Sequence, residues 1–412
     1  MSISPFIYVE AFLREGSVTA AQDAKRGLKY KQTENGGVRE MIRTFQPVGQ
    51  GSFVTEQFEQ GQNVVFDCGS ATSLGLVREL IHTNYDENEL IDAVFISSLD
   101  NEHAGGLEAL MQWCRVTKVF VPFMEEDERA YTLLKHLCEG GESDDFLSRL
   151  ITEPKKALSA YQFLDPRTPV LTQVAPETDR DKNVFDAVMS MEIMPWKAIE
   201  GFRVYADPDV DWIYQVRVYR QRQVMERLTA ALIAAEVDPG WIASAATVRR
   251  AWKQNPTRKA LIQAYRQLDD HECVVSLALY SGPQHRDFRM YEQYTQKGQW
   301  SYHTRIRSGG VYTGGLHLGD EHIRAEFLKD FGRYRPRVGS FLLPGHGAES
   351  LFHESILPKT QAIVVATSDT ENVLCLPHGK VVRAVMDRRL PFYLVTEVPG
   401  SVARFALSEQ VK

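Results

Sequence analysis

The sequence predicts an α/β fold, and two observations carry that prediction. Short β-rich apolar runs alternate with helically spaced stretches in the first third of the chain, and the same β-rich texture returns in the last third. The first block begins with "MIRTFQPVGQGSFVTEQF", read as strand, Gly-rich turn and strand. "NVVFDCGS" is a short strand closed by Gly69, and "SLGLVRELIHTNY" has helical spacing through Leu76, Leu80 and Ile81. "LIDAVFISSL" is a buried strand, "GGLEALMQWCR" a helix and "VTKVFVPF" the next strand. The second block runs "CVVSLALYSG", "GGVYTGGL", "VGSFLLPGHGA", "AIVVATS" and "FYLVTE". Ahead of the first block, the opening forty residues read as a strand and a loop around "KYKQTENGG".

Between the blocks the texture changes. Glu125 to Leu164 is largely helical, Asp165 to Asp211 is loop-rich with several prolines, and Tyr214 to Leu268 reads as three helices broken at Asp238-Pro239-Gly240 and Asn255-Pro256. The simplest organisation is a single domain over 1–412, with its core at about 41–123 and 271–400 and a mostly helical insertion at 124–270. The alternative is two domains joined near residue 200.

The chain has 412 residues, is 43% hydrophobic and 25% charged, and so is expected to bury a core of ordinary size. Its net charge of -7 excludes a surface that is basic all over, so a nucleic-acid contact would be a local patch. Five scattered cysteines without a C-x-x-C pair read as free thiols of a reducing compartment. The N-terminal stretch carries acids early and lacks the apolar run of a signal peptide, and no stretch approaches the length of a membrane helix. These features point to a cytoplasmic location.

The chemistry concentrates in "VFISSLDNEHAGGL", where a strand ends in Asp100, Glu102 and His103 with two glycines behind them. A strand end projects several short side chains into one cluster, and imidazole with carboxylate suits zinc, manganese or iron. The plain alternative is that Asp100 caps a helix and His103 bonds local backbone. His346 stands in Gly-His-Gly, where flanking glycines allow close backbone approach. His317, His322 and His353 read as surface histidines, although His317, Asp320, His271 and His378 are available as substitute ligands.

The order "FQPVGQGSF", "VVFDCGS", "FISSLDNEHAGGL", "VSLALYSG", "VYTGGL", "LLPGHGA" and "VVATSDTENVLCLPHGKV" resembles the metallo-β-lactamase superfamily. Its nearest likeness is to the lactamase-like domain of competence DNA-uptake channel proteins and their soluble relatives. The resemblance implies an αββα sandwich with a largely helical insertion and a metal site on loops at one sheet edge. It also implies a hydrolase acting through a metal-activated water on a phosphodiester or nucleic acid, as a phosphodiesterase or nuclease. The family motif H-x-[HD]-x-D-H falls on Ser98, Asp100, Glu102 and His103. Ser98 stands where the first histidine belongs, Gly315 where an aspartate bridges two metals, and Gly345 where a second histidine precedes His346. What the resemblance leaves is one divalent transition metal, zinc or manganese, held by Asp100, His103 and His346, with Glu102 and Asp100 as catalytic carboxylates. The same departures motivate the other class of function, a catalytically degenerate member that binds a ligand or partner. A protein partner that completes or uncovers the site is a further expectation.

From Tyr214 to Leu268 ten arginines and lysines face only three acids. This excess nominates Arg249, Arg250 and Lys253 as a phosphate-contacting face. The alternative is a solvated face paired with the acids around Glu125 to Asp127.

Overall fold

In the computed structural model the described residues are 40–59, 61–161, 170–174, 203–205, 212–268, 273–283, 288–294, 299–359, 361–371 and 373–409. The strand and loop expected in the opening residues, and most of the loop-rich Asp165–Asp211 segment, lie outside them.

Two sheets form the body. The nine-stranded sheet runs, edge to edge, Gln299–Arg307, Phe288–Tyr294, Ala403–Glu409, Glu40–Phe45, Val54–Phe58, Asn63–Phe66, Ala93–Phe95, Lys118–Pro122 and Val170–Val174. The seven-stranded sheet runs Phe392–Val395, Ile363–Thr367, Val338–Leu342, Gly309–Tyr312, Val275–Pro283, Trp212–Arg220 and Arg203–Tyr205. In the larger sheet the run from Asn63–Phe66 to Val170–Val174 is parallel. In the smaller one the run from Gly309–Tyr312 to Phe392–Val395 is parallel.

Period-2 alternation explains the layering. In Val275–Pro283, Val275, Leu277 and Leu279 join the core shared with the larger sheet, while Ala278 and Tyr280 face the other way. That opposite face is covered by the helices Glu321–Phe331, through Ile323, Phe327 and Phe331, and Gly379–Asp387, through Val381 and Val385. Between the sheets, Phe66 meets Tyr312 with ring centroids 5.0 Å apart and Phe95 meets Tyr214 at 5.5 Å. Leu74–Asn84 and Leu107–Trp113 pack Val77, Ile81, Leu107 and Leu110 into the core on the side of the larger sheet. This is the αββα sandwich that the resemblance implies. Among the described residues no helix is long and apolar enough to cross a membrane.

The expectation that Tyr214 opens a helical segment is corrected. Trp212–Arg220 is a nine-residue strand paired over its whole length with Val275–Pro283. Trp212, Tyr214, Val216 and Val218 enter the inter-sheet core, while Ile213 and Tyr219 pack on the helical side. The apolar residues thus recur every second position, the period of a strand rather than a helix. Three helices do follow, at Arg222–Ala234, Ala245–Trp252 and Asn255–Tyr265.

Candidate functional site

The carboxyl ends of parallel strands from both sheets meet at one edge, the place where α/β folds gather their chemistry. Asp67 follows Asn63–Phe66, Ser97 follows Ala93–Phe95, Thr313 follows Gly309–Tyr312, and His346 lies four residues past Val338–Leu342. Cys273 sits just before Val275–Pro283, which runs antiparallel to Gly309–Tyr312 and therefore starts at the same edge.

On the larger sheet, Asp67 is fully buried and accepts hydrogen bonds from Ser97 N at 2.7 Å and Ser97 Oγ at 2.8 Å. This anchors the turn that leads into Asp100. Asp100 then caps the short helix Asn101–Ala104, accepting from His103 N at 3.1 Å, and its Oδ1 lies 2.6 Å from His103 Nδ1. The plain helix-cap reading is therefore observed, and the same carboxylate also fixes the His103 ring.

On the smaller sheet, Gly345, His346 and Gly347 have φ values of 47°, 59° and 85°. Glycine takes this left-handed region freely, whereas for a buried histidine it costs on the order of 1–3 kcal/mol. The strain turns His346 inward. Its Nδ1 lies 2.7 Å from Thr367 Oγ1, and its Nε2 lies 3.2 Å from Glu102 Oε2. Gln50 Nε2 donates to the other Glu102 oxygen at 3.2 Å. The rings of His103 and His346 are 6.0 Å apart and inclined by 28°. Asp100, Glu102, His103 and His346 thus converge, although His346 is remote from the others in sequence. Asp100, His103 and His346 are at most 4% exposed, and the Glu102 side chain is 21% exposed, the opening of the cluster toward solvent.

The electrostatics follow from this packing. Burial works against charge on Asp100, but the His103 imidazolium outweighs it and holds Asp100 well below the usual carboxylate range. Burial likewise opposes charge on His103, and Asp100 and Asp67 raise it to about 9. Glu102, desolvated but paired with His346, falls to about 2. Asp67 is pushed up to about 7, mainly by burial, with His103 pulling the other way.

Two contributors carried no sequence signal. Cys273 is buried, accepts from Ser98 Oγ at 3.3 Å and donates to Asp100 Oδ2 at 3.6 Å. Burial and the Asp100 charge push its thiol pKa far up. Lys135, buried on the helix Glu126–Cys138 and paired with Glu139, lends positive charge that acts on Asp100 and Glu102. A lone cysteine and an interior helical lysine match no motif. Only the start of the strand after Cys273 marked its place.

Three of the other histidines serve local structure. His317 Nδ1 accepts from Asp320 N at 3.0 Å, His378 Nδ1 from Glu349 N at 2.8 Å, and His353 caps the turn Glu354–Ile356. His322 is exposed beside Glu326, and His271 lies outside the described residues. Arg249 is half-buried, its Nη2 donating to Ser148 O at 3.4 Å and Thr152 Oγ1 at 3.0 Å, while Arg250 and Lys253 are exposed. Arg220 pairs with Glu128 at 2.9 Å and Glu125 at 3.3 Å, and Arg217 with Asp330 at 3.8 Å. Part of the basic excess is thus spent on acids, as the solvated-face alternative expects.

Each buried imidazole has its Nδ1 tied to a second partner, Asp100 or Thr367, which leaves Nε2 as the ligating atom, an arrangement typical of metal-bound histidines. Glu102 supplies a carboxylate in contact with one of them. In type this donor set suits one metal ion. It is not drawn tight, because two imidazoles sharing one tetrahedral ion bring their rings to roughly 5 Å. Among the described residues no three His, Cys, Asp or Glu side chains stand in position around one point.

No family model matches the sequence, and no curated protein matches it. Among solved structures it is similar to a metallo-beta-lactamase with a HARLDQ motif from Cronobacter sakazakii (Enterobacter sakazakii), at 14% identity over 84% of this chain and 91% of that one, with a TM-score of 0.27. A motif mutant of a metallo-beta-lactamase from the same organism is similar at 12% identity over 71% of each chain, TM-score 0.25. A long form RNase Z from yeast is similar at 9% identity, TM-score 0.30, over 88% of this chain but only 44% of that one. Scores this low bear no weight, and the fold rests on the strand order and layering above.

Proposed function

We propose that the chain is a metal-dependent hydrolase that uses one divalent transition ion, zinc or manganese, to cleave a phosphodiester or nucleic-acid substrate. The observation that carries this reading is the pair of buried imidazoles, each held by Nδ1, with the strained His346 turned onto Glu102. In this reading the ion is held by Glu102, His103 and His346. Asp100 acts one step back, keeping the His103 Nδ1 proton and so presenting Nε2. The two acids thus exchange the parts that the sequence motif suggests for them. When bound, the ion would lower the pKa of a coordinated water toward neutrality and polarise a phosphoryl oxygen. Gln50 steadies Glu102, and Asp67 steadies the Ser97 turn on which Asp100 stands. Arg222, Arg227 and Lys329 line a separate cleft of about 470 Å³, shared with His317 and the acids Asp320, Glu326 and Asp330, where their positive charge would meet a phosphate backbone. A cytoplasmic setting, with all five cysteines free thiols, and an insertion at 124–270 within a single domain belong to the same proposal.

The test is metal content after purification without chelator, followed by hydrolysis of bis(4-nitrophenyl) phosphate. About one equivalent of zinc or manganese, with turnover that chelator removes, is the expected result. One observation favours the second reading, a binding module without catalysis: Glu102 and His346 already satisfy each other at 3.2 Å. No uptake after incubation with either metal would select that reading.

A further inference from the structure

We infer that the cleft lined by Gln221, Arg222 and Lys329 is a binding site for a phosphate monoester. This deepens the phosphate reading of that cleft given above, on which it rests, and it requires no metal. The cleft, of about 470 Å³, has the size of a small-molecule site and takes its walls from the helices Arg222–Ala234 and Glu321–Phe331. Its three acids are engaged within the protein. Asp330 accepts from Tyr219 Oη at 2.8 Å, Asp320 caps Glu321–Phe331, and Glu326 lies 3.5 Å from His322. Arg217 and Arg220 are likewise paired, with Asp330 and Glu128. Arg222 and Lys329 form no ion pair among the described residues.

Two independent features call for an anion there. The helix Arg222–Ala234 starts at the cleft, and Gln221, its cap, makes no side-chain hydrogen bond to it. Its first turn carries no acid and opens with Arg222, a cation where the helix end is already positive. The unspent N–H groups of such a turn attract anions. On the facing wall, Asp320 and Glu321 already serve the start of their own helix. The second feature is Gln221 itself. It is 4% exposed and lines the cleft, yet its Nε2 has no hydrogen-bond partner among the described residues. A buried donor left open is costly, and a ligand oxygen beside the helix start would satisfy it. A phosphate monoester suits this set because it brings about two negative charges and three acceptor oxygens to one point. A longer polyanion would run on against Asp320 and Glu326.

The full chain is titrated in chelator, by calorimetry, with AMP, adenosine, and short DNA strands ending in a phosphate or a hydroxyl. AMP is expected to bind and adenosine not to. Arg222→Glu and Lys329→Glu, both at exposed positions, should each weaken AMP at least about tenfold. Gln221→Leu should weaken it severalfold while leaving the thermal midpoint level or higher, because the donor it removes has no partner in the free protein. A phosphate-ended strand that binds more tightly than AMP assigns the phosphate to a strand end, and one that binds no better assigns it to a free small ester. AMP held no better than adenosine, or unaffected by both charge reversals, overturns the inference. Chelator is present throughout, so a failure of metal-dependent hydrolysis leaves this result standing, and the converse holds as well.

Discussion

Two buried ionic clusters join the sheets of this protein, and they are built on opposite principles. In the interior, Arg43 is fully buried and Glu56 is 2% exposed. Glu56 accepts from Arg43 Nε at 2.8 Å, Tyr214 Oη at 2.7 Å, Tyr312 Oη at 2.6 Å and Ser281 Oγ at 2.6 Å. Arg43 also donates to Ser308 O at 2.7 Å and Ser340 Oγ at 3.1 Å. This cluster is closed: each charge is met by partners from both sheets, as a low-dielectric interior demands. At the edge, Asp100, His103 and His346 are also buried and paired, but His346 Nε2 meets Glu102, whose side chain is partly open to solvent. Both clusters are charged and both bridge the sheets, so burial alone does not mark a site. They differ in strain and in access: the edge cluster holds His346 in the left-handed region and lets Glu102 reach solvent.

The largest effect should come from breaking the closed cluster. Glu56→Gln leaves the Arg43 charge uncompensated and should cost about 3–5 kcal/mol in denaturant unfolding. A loss below about 1 kcal/mol would mean that water reaches Arg43 and that the two clusters do not differ in kind.

The open cluster should respond in the reverse sense. Glu102→Gln removes a partly exposed charge and should cost less stability than Glu56→Gln does, since solvent screens what is left of the pair. It should weaken ion uptake at least about tenfold to a hundredfold, a loss that even partners one step removed from a metal produce. Unchanged uptake, measured by calorimetry, would return the ligand's role to Asp100.

These clusters were unequally legible in the sequence. The punctuated strands foretold the sandwich, and the strand end at Asp100 and the Gly-His-Gly turn at His346 named residues that the fold brings together. The closed cluster was invisible, because Arg43, Glu56, Tyr214 and Ser281 are ordinary alternating strand residues whose meeting depends on how the sheets face each other. Tyr214 was assigned to a helix because Trp212–Arg220 carries arginines and a glutamine among its apolar residues and runs straight into Arg222–Ala234. The sequence marks Cys273 only as one of five free thiols, since its part depends on Ser98 and Asp100, both far away in sequence.

A pH titration of the metal-free protein probes the open cluster as it stands. His103 titrates near 9 when folded, above the ordinary histidine value of about 6.5. Its contribution is therefore full below about 6.5 and lost as pH rises through about 9. Asp67, raised to about 7, acts in the same direction over a lower range, its contribution fading from about 4 to about 7. Stability in chelator should thus decline from pH 6 to 9.5, each unit of pH worth at most about 1.4 kcal/mol per proton. In His103→Asn the upper part of that decline should flatten. An unaltered slope would place the titrating group elsewhere.

The smallest effects belong to charges in neither cluster, and they separate two neighbours that the sequence treats alike. Arg249 spends its guanidinium on Ser148 and Thr152 of the helix Phe146–Thr152, whereas Arg250, one residue on, is exposed. Arg249→Glu should cost about 1 kcal/mol in stability, since it removes hydrogen bonds that tie two helices together. Arg250→Glu should leave stability within about 0.5 kcal/mol. If the substrate is a nucleic acid that runs along this face, Arg250 and Lys253 are the residues in position to meet its phosphates. Arg250→Glu should then weaken binding of single-stranded DNA severalfold and lower the slope of log affinity against log salt by about 1, because one phosphate contact fewer releases one counterion fewer. An unchanged slope with both Arg250→Glu and Lys253→Glu removes this face from the substrate path. Phosphate recognition would then fall to the cleft lined by Arg222, Arg227 and Lys329, beside the loop that carries Gly315.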